Sequence, residues 1–436
     1  MNKSEVILAH KKHIFPSVFH YFSEPLVVTK AKDQFVWDAD GNKYLDFFGG
    51  IVTISVGHCN DAVNKKVKEQ VDTLEHVSTA YITEPQVKLA QKIAPKTPNG
   101  ALSKFYFTNS GTEANETAFL TARMYTGSQE IVALRHSYHG RSAAAMAATG
   151  VGTWRLGGAP APGFSHALNG YCYRCPLKLE PKTCGTQCAK DMVEHIRTAT
   201  SGKIAAVIAE PIQGVGGLIT PPKEFFPIVY ETVKKFGGLF ISDEVQTGWG
   251  RTGKYWGIEQ YGVEPDMITS AKGMGNGLPI GITIAKPEVA DAYKGLTIST
   301  FGGNPVTTTA ALAVLDYMDE NNLMQNAQTQ GDYLRGKLDE LAKKHELIGE
   351  VRGMGLLQAI ELVEDRQTKL PAPAATNAML EAARENRIFI GKGGLSGNVL
   401  RISPPMNIGK TDIDNFVEAL DASFQKVTAD RLAAAK

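Results

Sequence analysis

Short, continuously apolar runs alternate with stretches of helical periodicity through the middle of the chain. The runs are "KFYFT" (104–108), "EIVAL" (130–134), "IAAVIAE" (204–210), "GLFISDE" (238–244), "DMITSA" (266–271) and "IGITIA" (280–285). A strand that is apolar at every position is buried on both faces. Most of these runs are also far enough apart to hold a helix between them. The pattern predicts a mostly parallel sheet with helices on both faces, including a helix from Thr112 to about Tyr125 after the first run. Ligands of such sheets sit at the carboxyl ends of the strands, which is where Glu210, Asp243 and Lys272 fall.

The two ends follow other patterns. Residues 1–60 hold a helix-like start and then "VVTKAKDQFVWDADGNKYLDF", where Asp40-Gly41-Asn42 predicts a hairpin turn between two strands. Beyond residue 309 come two helical stretches, two or three strands ("IGEVRGMGLLQAIELV", "NVLRIS") and a last helix ("TDIDNFVEALDASFQKV"). Helices laid over a few strands predict a smaller α+β domain.

Length and charge exclude little. The chain has 436 residues, and 46 Lys+Arg against 45 Asp+Glu give no basic surface for nucleic acid and no acidic tail. The start lacks a long apolar leader, and no run is long enough to span a membrane, so a soluble cytoplasmic protein is expected. Four of the five cysteines crowd into "CYRCPLKLEPKTCGTQC" as Cys172, Cys175, Cys184 and Cys188. This C-x2-C and C-x3-C spacing is close to that of a four-thiolate zinc loop, although the spacer is short. Free thiols or a disulfide-stapled surface loop are expected ahead of zinc, and the spacing alone does not separate them. No metal is expected to take part in the chemistry.

Three stretches carry candidate chemistry. "YFTNSGTEANETAF" puts Ser110, Gly111 and Thr112 between a strand and a helix, where free amides and two hydroxyls could hold an anion; an ordinary N-cap is the alternative. "GLFISDEVQTGWGRTG" ends a strand on Asp243, which needs a partner at such a position; an ion pair with Arg251 is the alternative. Lys272 ends another apolar run, and a desolvated lysine has a depressed pKa and attacks carbonyls. A phosphate cup, a carboxylate for a pyridinium nitrogen and an amine for an aldehyde are the three handles of pyridoxal 5'-phosphate.

With those residues in view, the chain resembles the class III, or ω-amino acid, aminotransferases of the fold-type I pyridoxal-phosphate enzymes. It is most similar to the alanine–glyoxylate aminotransferase 2 group. The likeness runs through "YLDFFGGIVTISVGH", "NSGTEANE", "SYHGRS", "AEPIQGVGG", "DEVQTGWGRTG", "SAKGMGNGLPIG", "TFGGNP" and "LRISPP". It implies a large pyridoxal-phosphate domain over 61–308 and a small domain over 309–430. The segment 1–60 would contribute to the small domain and to dimer contacts. It further implies that Ser110, Gly111 and Thr112 hold the phosphate, and that Tyr138 and Val245 cover the two faces of the pyridine. Asp243 would pair with the pyridinium nitrogen, and Gln246 would bond the phenolic oxygen. Lys272 would be the Schiff-base lysine and general base, and Thr300 would reach a neighbouring subunit's phosphate. The implied assembly is a homodimer with shared sites, which could pair into a tetramer. His139 is expected to pack or support rather than act as a base.

Arg401 in "VLRISPP" could recognise a carboxylate with both arms of its guanidinium, with a structural salt bridge as the alternative; the resemblance implies that it holds the α-carboxylate of an oxo acid and that Glu210 pairs with it when no carboxylate is bound. The expected reaction is ping-pong transfer of an amino group from alanine, β-alanine or 3-aminoisobutyrate to pyruvate or glyoxylate. Phe15, Phe19, Tyr21 and Phe22 are candidates for the amine pocket, with core packing or a dimer arm as the alternative. Two other readings stand beside it: a phospholyase acting on a phosphoethanolamine-like amine, and a non-enzymatic binder on a retained fold.

Overall fold

The computed structural model describes residues 1–157 and 160–434. Its centre is a seven-stranded sheet. The strand order is Lys104–Thr108, Gly281–Ala285, Met267–Ser270, Leu239–Asp243, Ala206–Ala209, Ile131–Leu134 and Phe164–Ala167. The five strands from Met267–Ser270 to Phe164–Ala167 are parallel, while Gly281–Ala285 runs antiparallel to both of its neighbours. All six apolar runs form strands of this sheet. The seventh, Phe164–Ala167, carries no apolar run because it is an edge strand that is mostly half-buried.

Side-chain alternation builds two separate cores from the same strands. Val207 and Phe240 point to the face covered by Phe225, Val229 and Val233 of the helix Phe225–Lys235. Ala206, Ile208, Leu239 and Ile241 point to the other face, covered by Ala118, Phe119 and Ala122 of the helix Gly111–Thr126. Both faces are therefore apolar, which is why these strands read as unbroken runs.

The ends of the chain meet. Val28–Lys32, Phe35–Asp38 and Lys43–Asp46 form an antiparallel meander, and the predicted hairpin turn is present, with Gly41 at φ +82°. Asp38 fixes that turn by accepting from the amides of Asp40 and Asn42 at 3.0 and 2.8 Å. Lys43–Asp46 then pairs in parallel with Ile388–Phe389 from the far end of the chain. A third sheet, Ile348–Met354, Leu357–Asp365, Val399–Ile402 and Gly391–Gly393, is antiparallel and carries Arg401. No described helix is long and apolar enough to cross a membrane.

Candidate active site

The sheet delivers three groups to one end. Asp243 is the last residue of its strand, Glu210 follows Ala206–Ala209, and Lys272 lies two residues beyond Ser270. Adjacent parallel strands bring their carboxyl ends together, and a cavity of about 340 Å³ opens there. Its walls include all three groups together with Ser110, Gly111, Thr112, Tyr138, Val245 and Gln246.

Ser110 is an N-cap in fact. Its Oγ accepts from the Glu113 amide at 3.2 Å, and the Glu113 carboxylate accepts from the Asn109 amide at 2.9 Å. The cap and the anion cup are compatible, because the amides of Gly111 and Thr112 in the first turn have no intrahelical acceptor. Gly111 is required by contact: a Cβ there would stand 2.8 Å from Val245 Cγ2.

Asp243 is buried and held from several sides. Its Oδ2 accepts from Asn115 Nδ2 at 2.9 Å and lies 2.7 Å from His139 Nδ1, while Oδ1 accepts from the Val245 amide at 3.2 Å. Asn115 is itself fixed, since its Oδ1 accepts from Thr269 Oγ1 at 2.7 Å and its Nδ2 donates to the His139 carbonyl at 2.7 Å. The alternative pair with Arg251 is not formed. Arg251 donates to the carbonyls of Leu356, Pro404 and Ile54 instead. The neighbouring Glu244 turns away from the cavity and accepts from the amides of Gly257 and Ile258, each at 2.8 Å.

Lys272 has φ +50°, a left-handed conformation that an L-residue holds only under constraint and that often marks functional positions. Burial pulls its ammonium down from the usual lysine range to about 8. Asp243 and Glu210 oppose that shift and Arg401 adds to it. The result is an amine that is neutral far more often than an ordinary lysine.

The expected Glu210–Arg401 pair is not formed. Both oxygens of Glu210 already accept backbone amides, from Tyr138 and Gly214, each at 2.8 Å. Burial pushes this carboxyl well above its ordinary range; His139 opposes that shift and Asp243 reinforces it. Arg401 is 3% exposed and donates from Nη2 to Gln246 Oε1 at 2.6 Å. Its Nε is buried without a partner, and its guanidinium lies 5.4 Å from the ring centre of Phe48. Gln246, expected to serve the cofactor, holds the arginine here.

Some expectations fall outside the cavity. Thr300 is exposed on a loop beside His76 and Tyr81. Phe15 and Phe19 are exposed, whereas Tyr21 packs edge-on against Phe48 at 5.5 Å, close enough to feel the charge of Arg401. Asn115 went unnoticed in the sequence. Its signal was an amide on the buried face of a helix otherwise lined by Ala114, Ala118 and Phe119. The four clustered cysteines are unpaired and open together onto a separate cavity of about 70 Å³.

The family profile described as aminotransferase class-III matches residues 20–424. The chain belongs to the class III aminotransferases. It is 44% identical to a protein of Arabidopsis thaliana named alanine–glyoxylate aminotransferase 2 homolog 2, mitochondrial, over 97% of this chain and 88% of that protein. It is 36% identical to the leucine/methionine racemase of Thermococcus litoralis, over 99% of this chain and 98% of that protein. An amine transaminase from an uncultivated Pseudomonas species, solved with pyridoxal phosphate bound, superposes with a TM-score of 0.90 at 30% identity. That match covers 95% of this chain and 98% of the other. This class III aminotransferase is a pyridoxal-phosphate enzyme, and its cavity fits the cofactor. A lysine of depressed pKa, a carboxylate with fixed geometry and a helix start with free amides face the same space.

Proposed function

We propose that the enzyme moves the amino group of alanine, β-alanine, 3-aminoisobutyrate or a similar amine onto pyruvate or glyoxylate, through two half-reactions in one site. The observation that carries this reading is Arg401. It is a buried guanidinium with an unpartnered Nε, and it adjoins Gln246 in the cavity wall. A carboxylate would complete its donor set.

Bound pyridoxal phosphate would supply an aldehyde for the amine and a ring that takes up the electron pair left when the donor's Cα–H bond breaks. Lys272 would attach it and, once released, take the proton from the donor's Cα. With a pKa of about 8, roughly a tenth of Lys272 is the free base at pH 7. Asp243, oriented by His139 and Asn115, would pair with the ring nitrogen. Ser110, Gly111 and Thr112 would bind the phosphate, and Tyr138 and Val245 would cover the two ring faces. Gln246 would bond the phenolic oxygen with its amide nitrogen while its oxygen keeps Arg401 in place.

Thr300 would act on a neighbouring copy in a homodimer with shared sites. The exposed Leu296, Ile298 and Phe301 around it support this, because a second copy would cover them. Pairing of Lys43–Asp46 with Ile388–Phe389 supports grouping residues 1–60 with the small domain at 309–430, apart from the large domain at 61–308. Cysteines outside any disulfide suit a reducing compartment, and we assign the enzyme to the cytoplasm.

The test is to add L-alanine, β-alanine, 3-aminoisobutyrate and phosphoethanolamine singly to the holoenzyme and follow the cofactor's visible band. Bleaching by one of the first three, reversed by pyruvate or glyoxylate, is the expected result. Phosphate release from phosphoethanolamine with no reaction of the others would overturn the proposal. So would racemisation of alanine without amino transfer.

A further inference from the structure

The loop between Leu168 and Cys188 poses a separate problem. It runs for some twenty residues with no strand and no helix until Gln187, and over 171–188 only Tyr171 and Thr186 are buried. Ordered connections of that length without secondary structure are uncommon in compact domains and usually have a function. This loop nevertheless makes definite contacts far away. Tyr171 Oη and Arg174 Nε both donate to the carboxylate of Glu361, which is fully buried in the antiparallel sheet that carries Arg401. Lys369 Nζ returns a bond to the carbonyl of Tyr173 at 2.9 Å. A loop with so little core of its own needs something besides apolar burial to hold that shape.

Cys172, Cys175, Cys184 and Cys188 all line one cavity of about 70 Å³. Leu177, Leu179, Pro181 and Pro222 form an apolar wall around it, and Glu224 is its only carboxylate. The cavity is too small for an organic cofactor and large enough for an ion with its ligands. The four cysteines come in two local pairs, Cys172 with Cys175, which opens the turn closed by the Lys178 amide, and Cys184 with Cys188, which flank the start of the helix Gln187–Lys190. Two closely spaced pairs of thiols on one small cavity supply the donor set that a four-thiolate ion site requires.

We propose that these four cysteines bind a single thiophilic divalent cation of the zinc type, which staples the loop and thereby fixes Tyr171 and Arg174 on Glu361. Among the described residues, no three His, Cys, Asp or Glu side chains stand ready-made as a ligand group, so the thiols turn inward on binding. Each needs rotation about its Cα–Cβ bond, with the two turns closing to bring sulfurs to the roughly 2.3 Å expected of zinc–thiolate bonds. Binding forms four metal–sulfur bonds and releases the thiol protons to water, so no oxidant is consumed. The ion lies outside the cofactor cavity and takes no part in amino transfer.

The holoenzyme, purified with a reductant and without chelator, is analysed for metal by mass spectrometry, and its reactive thiols are counted with a disulfide reagent before and after treatment with a strong chelator. The expected result is about one zinc per chain, with four thiols becoming reactive only after the metal is stripped. Cadmium added back should produce thiolate charge-transfer absorbance in the ultraviolet. Cys175→Ser and Cys184→Ser should lose the metal and melt at lower temperature, and Cys59→Ser, altered at an exposed cysteine outside the loop, should keep it. The proposal is overturned if the stripped wild-type protein takes up neither zinc nor cadmium. It is equally overturned if protein alkylated at cell lysis, before any reductant is added, shows a disulfide among the four cysteines. The wild-type measurements decide the matter even if a variant fails to fold.

Discussion

Replacing Arg401 with Met separates recognition of the carboxylate from the rest of the chemistry. The substitution keeps an unbranched side chain against Phe48 but removes the charge. A carboxylate bound at this buried guanidinium would be desolvated, and taking away one partner of a buried, hydrogen-bonded ion pair costs about 3–5 kcal/mol. At 1.4 kcal/mol per factor of ten, this corresponds to a loss of roughly 10²- to 4 × 10³-fold in kcat/KM for pyruvate or glyoxylate. The variant also leaves Gln246 Oε1 without its donor, a cost of about 1–3 kcal/mol that falls on every substrate alike. The ratio of two substrates cancels this shared cost. The assay is therefore stopped-flow measurement of both half-reactions, with pyruvate as acceptor and 1-phenylethylamine as a donor without a carboxylate. Cofactor content and melting temperature are matched to the wild type. Pyruvate use should fall at least tenfold further than amine use. Equal losses would refute the assignment of Arg401 as a carboxylate receptor.

Other expectations follow from the same geometry. Lys272→Met should abolish amino transfer by 10²- to 10⁴-fold or more, and borohydride should no longer fix cofactor to the chain. In the apoenzyme, the cost of charging Lys272 is present in full below about pH 8 and disappears as the pH rises toward 10.5. The stability advantage of Lys272→Met over wild type, at most about 3 kcal/mol for this half-buried side chain, should therefore shrink across that window in parallel urea melts. An advantage that grows with pH would show that burial does not depress this lysine. His139→Phe removes one of the groups orienting Asp243 and leaves Asn115 in place, so kcat should fall about 10- to 100-fold and the pH profile of the bound cofactor's spectrum should move. An unchanged profile would leave His139 a packing role. Gly111→Ala forces a Cβ to 2.8 Å from Val245 Cγ2 and should weaken cofactor retention on dialysis far more than it lowers the melting temperature.

The periodicity of the chain determined the architecture because these strands are buried on both faces. That burial requires the unbroken apolar runs that ended, as expected, near Glu210, Asp243 and Lys272. Local chemistry was equally legible where it depends on near neighbours: the Asp40-Gly41 turn and the Ser110 cap involve groups within four residues of each other. The edge strand Phe164–Ala167 was not legible, since a half-buried edge imposes little pattern on side chains. Long-range pairing was also beyond reach. Nothing local says that Asn115 and His139 converge on Asp243, or that Tyr171 and Arg174 reach Glu361 across nearly two hundred positions of chain. The bond from Arg401 to Gln246, with none to Glu210, was equally out of reach: the two oxygens of Glu210 are aimed at the backbone amides of Tyr138 and Gly214, a direction that only the folded chain sets. Sequence determined which groups arrive at the end of the sheet, and only the tertiary structure decided which of them bond to one another, because hydrogen-bond partners are chosen by distances that folding alone sets.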